Sequence, residues 1–237
     1  MNHTAAKIYM AASVMLILGI FGGCGSGEYE QRLDKRIKEL KTGSKFNILS
    51  SPTDVPGTQV SISVPQDFKD PPLKEGAIVD GKAVDPRRVK SNVIDLNDLK
   101  LTYEGFIEDA NKGKQPFYLY VCVTTGPSRV NFPQIMKNSL AEKFNTTTEL
   151  IDDYKAQTPE GREVIWKQCR ATGNQPFYYV TPTGEGQFIQ LSGAIELFFQ
   201  DENETLITLV WRMPTGIEQS REFKSWMNMV AGCVKVK

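Results

Sequence analysis

Two alternating runs on either side of a short polar break constrain this chain more than any other feature. Across residues 187–200, Ile189, Leu191, Ile195, Leu197 and Phe199 recur at a period of two. Polar Gln190, Ser192, Glu196 and Gln200 stand between them, with Phe188 and Phe198 as exceptions. After the break Asp201-Glu202-Asn203-Glu204, Ile207, Leu209, Trp211 and Met213 share one side and Thr208 and Arg212 the other. Alternation across a polar turn predicts an antiparallel hairpin with one buried face. On that reading Glu196 faces solvent, as does Glu104 on another strand.

Further strands are expected over residues 45–50, 59–64 and 99–108. The turn-rich residues 51–57 separate the first two. A motif then occurs twice. Gln115-Pro116-Phe117-Tyr118 and Gln175-Pro176-Phe177-Tyr178 each follow a strand and a glycine-containing stretch. Both read as the second arm of a hairpin, the latter entered through a turn at Gly173-Asn174, since proline is tolerated at a strand start. Such an echo is too short to mark a duplication. Phe117, Leu119, Val121 and Val123 should face the core. Tyr118, Tyr120 and Cys122 should lie on the opposite face, beneath a helix.

Helices are predicted from three patterns. Residues 28–41 carry Tyr29, Leu33, Ile37 and Leu40 as a thin apolar stripe on a charged helix, ended by Gly43. Pro133 opens a second helix with Ile135, Met136, Leu140 and Phe144 on its buried side. Thr146 and Glu149 fit a capping box for another, with Leu150, Ile151 and Tyr154 buried. Phe223, Trp226, Met227 and Val230 form the stripe of a terminal helix, for which Gly232 is a plausible cap. Sheet plus covering helices gives an α+β fold, a central antiparallel meander under helices. The long irregular residues 65–93, with the cations Arg87, Arg88 and Lys90, read as a functional or mobile loop.

The first 23 residues read as a secretory signal. Lys7 precedes an apolar run of about 14 residues, shorter than the ~20 that span a bilayer. The run ends in Phe21-Gly22-Gly23-Cys24. Small residues before a lone cysteine resemble the lipobox of bacterial lipoproteins, with Phe21 where leucine is usual. The resemblance implies cleavage before Cys24 and acylation (palmitate-type chains) of that residue. Several acyl chains anchor stably because each buried CH₂ contributes about 0.8 kcal/mol. Because no aspartate follows Cys24, resemblance to the Gram-negative sorting pattern implies the outer membrane, periplasmic side. The expected organisation is then a signal peptide (1–23), a tether and charged helix (24–44) and one α+β domain (45–237).

A second resemblance lies in pattern. Val60-Ser61-Ile62-Ser63-Val64-Pro65, the long hairpin and the terminal amphipathic helix resemble the PsbP-like sandwich over residues 45–237. The Glu196–Phe199 and Trp211–Pro214 stretches also resemble a group of bacterial lipoproteins without assigned activity. Neither resemblance implies a catalytic residue.

Composition narrows the chemistry. Forty per cent hydrophobic and 24% charged residues predict a packed core. A formal net charge of +0 argues against nucleic acid as a partner. The one histidine is His3, inside the leader. Its loss removes Ser-His-Asp and Cys-His nucleophile systems and most zinc sites. The sequence has no Gly-x-Ser-x-Gly elbow, phosphate loop or dinucleotide fingerprint. No metal, cofactor or catalytic set is therefore expected. Of Cys122, Cys169 and Cys233, the first two are the expected disulfide in an exported protein. Tyr118, Tyr120, Tyr178 and Phe198 are the candidate groove.

Three functions follow. A non-catalytic envelope module would bind membrane lipid through Cys24, and an envelope protein or polymer through the sheet surface or the 65–93 loop. A hydrolase of envelope polymer would need two converging carboxylates, which leave no sequence signature. A small-ligand carrier would use the aromatic groove.

Overall fold

The computed structural model describes residues 26–68, 78–79, 82–83, 98–109, 113–144, 150–180 and 186–237. The leader, Cys24, most of the 65–93 stretch with Arg87, Arg88 and Lys90, and the Thr146–Glu149 box lie outside the described residues. The chain divides into two compact units, Met1–Lys45 and Phe46–Lys237. In the first, α1 (Ser26–Lys45) is a 20-residue helix that continues through Gly43 rather than ending there. Among the described residues no helix is long and apolar enough to cross a membrane.

The second unit contains eleven described strands in three sheets. In chain order they are β1 (Thr53–Asp54), β2 (Val60–Ile62), β3 (Ile78–Val79), β4 (Lys82–Ala83), β5 (Leu99–Asp109), β6 (Gly113–Thr125), β7 (Leu150–Gln157), β8 (Glu163–Val180), β9 (Gly186–Glu202), β10 (Thr205–Pro214) and β11 (Lys235–Val236). The helices are α2 (Ser128–Phe144) and α3 (Arg221–Gly232). A six-stranded sheet of order β5-β6-β10-β9-β8-β7 forms the centre. Every pairing in it is antiparallel. The chain runs β5-β6, crosses to the far edge by way of α2, then returns as the meander β7-β8-β9-β10 to close against β6. The fold is α+β, as the periodicities predict.

The predicted hairpin is β9-β10. Its turn is tighter than the four polar residues suggest, for Glu202 pairs with Thr205. Asn203 and Glu204 alone make the corner, with φ of 50° and 60°. Two successive left-handed residues match the twist of the flanking strands.

One expectation fails here: the hairpin has two buried faces. On one, Ile207, Leu209, Trp211 and Met213 join Phe117, Leu119, Val121 and Val123 beneath α3. On the other, Leu206 and Val210 join Tyr118, Tyr120, Cys122, Ile195, Leu197 and Phe199 beneath Phe132, Met136 and Leu140 of α2. Thr208 and Arg212, read as outward, are buried there. A crossover helix covers the second face, so the polar alternates sit in a core rather than in water.

Three local readings also differ. Residues 150–157 form strand β7, not a helix, with Tyr154 opposite Trp166. Tyr154 and Ala156 pack inward two residues apart while Lys155 faces out, a period that the short helical spacing concealed. Gly173-Asn174 is no turn, since β8 runs straight through it with Gly173 opposite Gly193. Only three strands, not four, therefore occupy residues 163–214. Residues 46–48 form a single 3-10 turn instead of a strand. Helix α2 begins at Ser128, placing Pro133 inside it.

Both copies of the repeated motif seat a phenylalanine ring over a glycine of the adjacent strand. Phe117 lies opposite Gly105, where a methyl group would overlap the ring. Phe177 covers Gly193, where a methyl would approach the ring to 2.9 Å. The two rings point to opposite faces. Phe117 also stands among Phe68, Trp211, Phe223 and Trp226, with centroids 5.0–6.3 Å away. Phe68 and Phe223 meet it edge-on, and Trp211 and Trp226 are tilted to it. Asn228 of α3 meets the outer strand as a backbone would. It donates to the Lys155 carbonyl at 3.2 Å and accepts from the Gln157 amide at 3.4 Å, covering part of an edge otherwise open to pairing.

Replacing Gly105 by Ala should overpack this core and cost about 1–3 kcal/mol. A urea titration should show a lower midpoint with an unchanged slope. An unchanged midpoint would contradict the ring-on-glycine packing.

Candidate functional site

The best candidate for chemistry is built where β8, β9 and the turn before α3 meet. Gln168 and Arg170 alternate on β8, and Arg170 is the cross-strand partner of Glu196 on β9. Glu218 comes from the 3-10 turn Ile217–Gln219. Two carboxylates thus converge on one guanidinium. Arg170 Nη2 donates to Glu218 Oε1 at 2.9 Å, and its Nε stands 3.9 Å from Glu196 Oε1. Gln168 Nε2 donates to Glu196 Oε2 at 2.8 Å, and the Gly216 amide donates to Glu218 Oε2 at 2.6 Å.

Glu196, expected in solvent, is 5% exposed. Burial pushes its pKa above the ordinary value of 4.5, opposed by Arg170 and by the Gln168 hydrogen bond, while Glu218 adds to the rise and Lys224 opposes it. Two carboxyls brought together in this way are an acid–base arrangement in principle. Here three of the four carboxylate oxygens accept hydrogen bonds from protein groups, and the fourth, Glu196 Oε1, faces Arg170 Nε at 3.9 Å. The cluster is an ion-pair tie between the sheet and the turn that leads into α3. Sequence reasoning missed it because the polar alternates of a sheet covered on both sides look the same as those of a half-covered one.

A second polar cluster lies on the opposite face. Arg212, 3% exposed, donates from Nε to Gln175 Oε1 at 3.0 Å and from Nη1 to the Tyr120 hydroxyl at 3.4 Å. Its guanidinium carbon lies 4.9 Å from the Phe177 ring centroid and 5.4 Å from that of Tyr118. Cation–π contact of this kind strengthens when water is excluded. Both Gln175 and Phe177 come from the second copy of the motif, so the echo marks packing rather than a ligand site.

The candidate groove is therefore not assembled. Tyr118 and Tyr120 lie together, ring centroids 6.3 Å apart, buried under α2. Phe198 is on the other face, stacked on Tyr154 at 4.3 Å. A strand sends adjacent parities to opposite faces, and Phe198 has the parity of the α3 side. The Tyr178 side chain lies outside the described residues. Tyr118 and Tyr120 fill a core.

The expected disulfide does not form, and Cys122, Cys169 and Cys233 are free and buried. Cys122 is on β6 and Cys169 on β8, with β10 and β9 between them. Three strand spacings amount to about 14 Å, twice the ~7 Å that a disulfide can bridge. Burial pushes the Cys122 thiol up to about 12 and the Cys233 thiol up to about 11, the reverse of an activated nucleophile. Among the described residues no group of three His, Cys, Asp or Glu side chains stands together as a metal site.

A concave surface lies elsewhere. An open cleft of about 370 Å³ runs between the β7–β8 turn, the end of β9 and the segment after α3. Val164 and Val234 are among its apolar lining residues, and Glu160, Arg162, Glu202 and Lys235 among its charged ones. Glu160 is held below the usual carboxylate range, chiefly by a hydrogen bond with the Thr158 side chain. Compared with known proteins, the chain matches no family model and no curated protein.

Two outcomes follow. Denatured without reductant, Cys122, Cys169 and Cys233 should each react with a thiol reagent, and in the folded protein all three should react slowly at neutral pH. Cys122 and Cys169 that stay unreactive after denaturation would contradict the unpaired state. The raised Glu196 pKa means that the folded state binds more protons than the unfolded one above pH 4.5. Stability should therefore fall as pH rises through the window between 4.5 and the folded pKa, then level off. Glu196→Gln keeps an acceptor for Gln168 and should flatten that fall in pH-dependent urea titrations. An identical slope in parent and variant would contradict this assignment.

Proposed function

We propose that this chain is an envelope lipoprotein, held to the periplasmic side of the outer membrane by acylated Cys24, whose body is a non-catalytic binding or assembly module. The observation that carries the reading is the leader itself. Lys7, a short apolar run and the small residues before Cys24 form one continuous pattern, which fits a cleaved lipoprotein signal better than a spanning helix. The body is consistent with it. Both faces of the main sheet are used in packing, and the converging carboxylates Glu196 and Glu218 are tied by Arg170. The finer likeness to a PsbP-like sandwich and to bacterial lipoproteins without assigned activity belongs to the same proposal. An antiparallel sheet between α2 and α3 supports it.

Partner contact, in this reading, moves off the sheet, whose faces are covered, to peripheral surfaces such as the cleft near Arg162 and Lys235. A hydrolase would have to break the Arg170 tie before either carboxylate met a substrate. A carrier would have to empty a filled aromatic core.

In fractionated envelopes the parent should sediment with outer membranes and a Cys24→Ala variant should appear in the soluble periplasm. Equal membrane association of the two would sink the proposal. A pull-down from solubilised envelopes should recover a protein or polymer partner, and recovery should drop when Arg162 and Lys235 are both changed to Glu. A parent that recovers nothing would count against the binding role.

A further inference from the structure

We infer that α1 lies flat on the bilayer surface, with Tyr29, Leu33, Ile37 and Leu40 turned into the headgroup region. The inference rests on the lipid-anchor reading above. These four side chains occupy one face of the helix, yet they are 67%, 45%, 39% and 60% exposed. An exposed apolar stripe has a partner elsewhere or is carried at a cost in solubility.

Three observations choose lipid as the partner. Gly25 is the one residue between Cys24 and the start of α1. The helix therefore begins within about 7 Å of chain from the anchored residue, and 20 residues extend it about 30 Å along the surface. Next, the helix is basic: Arg32, Lys35, Arg36, Lys38, Lys41 and Lys45 outnumber Glu28, Glu30, Asp34 and Glu39. At about 100° per residue, Arg32 and Arg36 border the stripe on one side, and Glu30 and Lys41 on the other. Long basic side chains at the margins of an apolar face can reach anionic headgroups while their stems stay in apolar surroundings. Two of the helix's four acidic residues, Glu28 and Glu39, stand in exposed pairs with Arg32 and Arg36, at 3.7 and 3.3 Å.

Last, the stripe is too short for a second copy. Leu33, Ile37 and Leu40 follow coiled-coil spacing for one heptad only, and a stable seam needs three or four. The same shortness would make free binding to lipid weak. A tether changes that, because it holds the stripe at an effective concentration on the order of millimolar. The anchor and the helix then act as two signals.

The test uses the full lipidated chain, reconstituted into phosphatidylethanolamine–phosphatidylglycerol vesicles. One environment-sensitive fluorophore is placed at Ile37→Cys or at Lys35→Cys, about 160° apart around the helix. Because Cys122, Cys169 and Cys233 are buried, the introduced thiol takes the label. The probe at 37 should be quenched several-fold less by iodide than the probe at 35, and more by acyl-chain-labelled lipid. Changing Leu33 and Leu40 together to Gln should erase that difference. Equal iodide quenching at both positions in protein that floats with the vesicles would overturn the inference and leave the anchor standing. Protein that does not float removes both. Protection at 37 that persists in vesicle-free Cys24→Ser protein, or that grows with protein density, would assign the stripe to the chain's own domain or to a second copy and would equally overturn it.

Discussion

The packing of the Phe117 ring holds the main unit together. It needs the absent side chain of Gly105 on the neighbouring strand, and it brings that strand into the same cluster as Phe223 and Trp226 of α3. Trp211 joins from β10 and Phe68 from the segment after β2. Five rings from four separate parts of the chain meet at one point. Local helix or strand preference could not bring them together, so the core is specified by shape, and each ring adds apolar burial of about the size that decides a domain's stability.

From that point the rest follows by covering. Once α3 closes one face, the crossover from β6 to β7 carries α2 over the other. In a sheet covered on both sides, buried polar alternates turn to one another, although the Thr208 hydroxyl has no hydrogen-bond partner among the described residues. Arg212 therefore finds Gln175, Tyr120 and two aromatic rings, and Glu196 finds Gln168 and Arg170. The second pair of ties then orients the turn that feeds α3 back onto the first face. The polar groups that look most like chemistry are in this way parts of the packing.

The sequence made some of this legible. Period-two alternation located β9 and β10, and the i, i+3, i+4, i+7 stripe located α3, because each spans enough turns for its period to show. The faces of β6 were assigned correctly for the same reason. Residues 150–157 were not, since eight residues with Asp152-Asp153 among them fit either period. Gly173-Asn174 has the composition of a turn and sits in a strand because Gly193 opposite lets the pairing run on. The number of covered faces, and with it the burial of Glu196 and the separation of Phe198 from the tyrosines, depends on where α2 goes. That is a property of topology, which no window of sequence carries. The Cys122–Cys169 pairing failed on topology too, since strand order decides the distance between two strands.

With both faces of the sheet taken up by packing, the proposed role rests on the tether and on peripheral surfaces. The most direct test is the intact mass of the protein purified from envelopes, with the amino-terminal peptide sequenced. The account predicts a chain that starts at Cys24 and carries the mass of several fatty acyl groups there. A chain that keeps residues 1–23, or starts elsewhere with an unmodified amine, would contradict it.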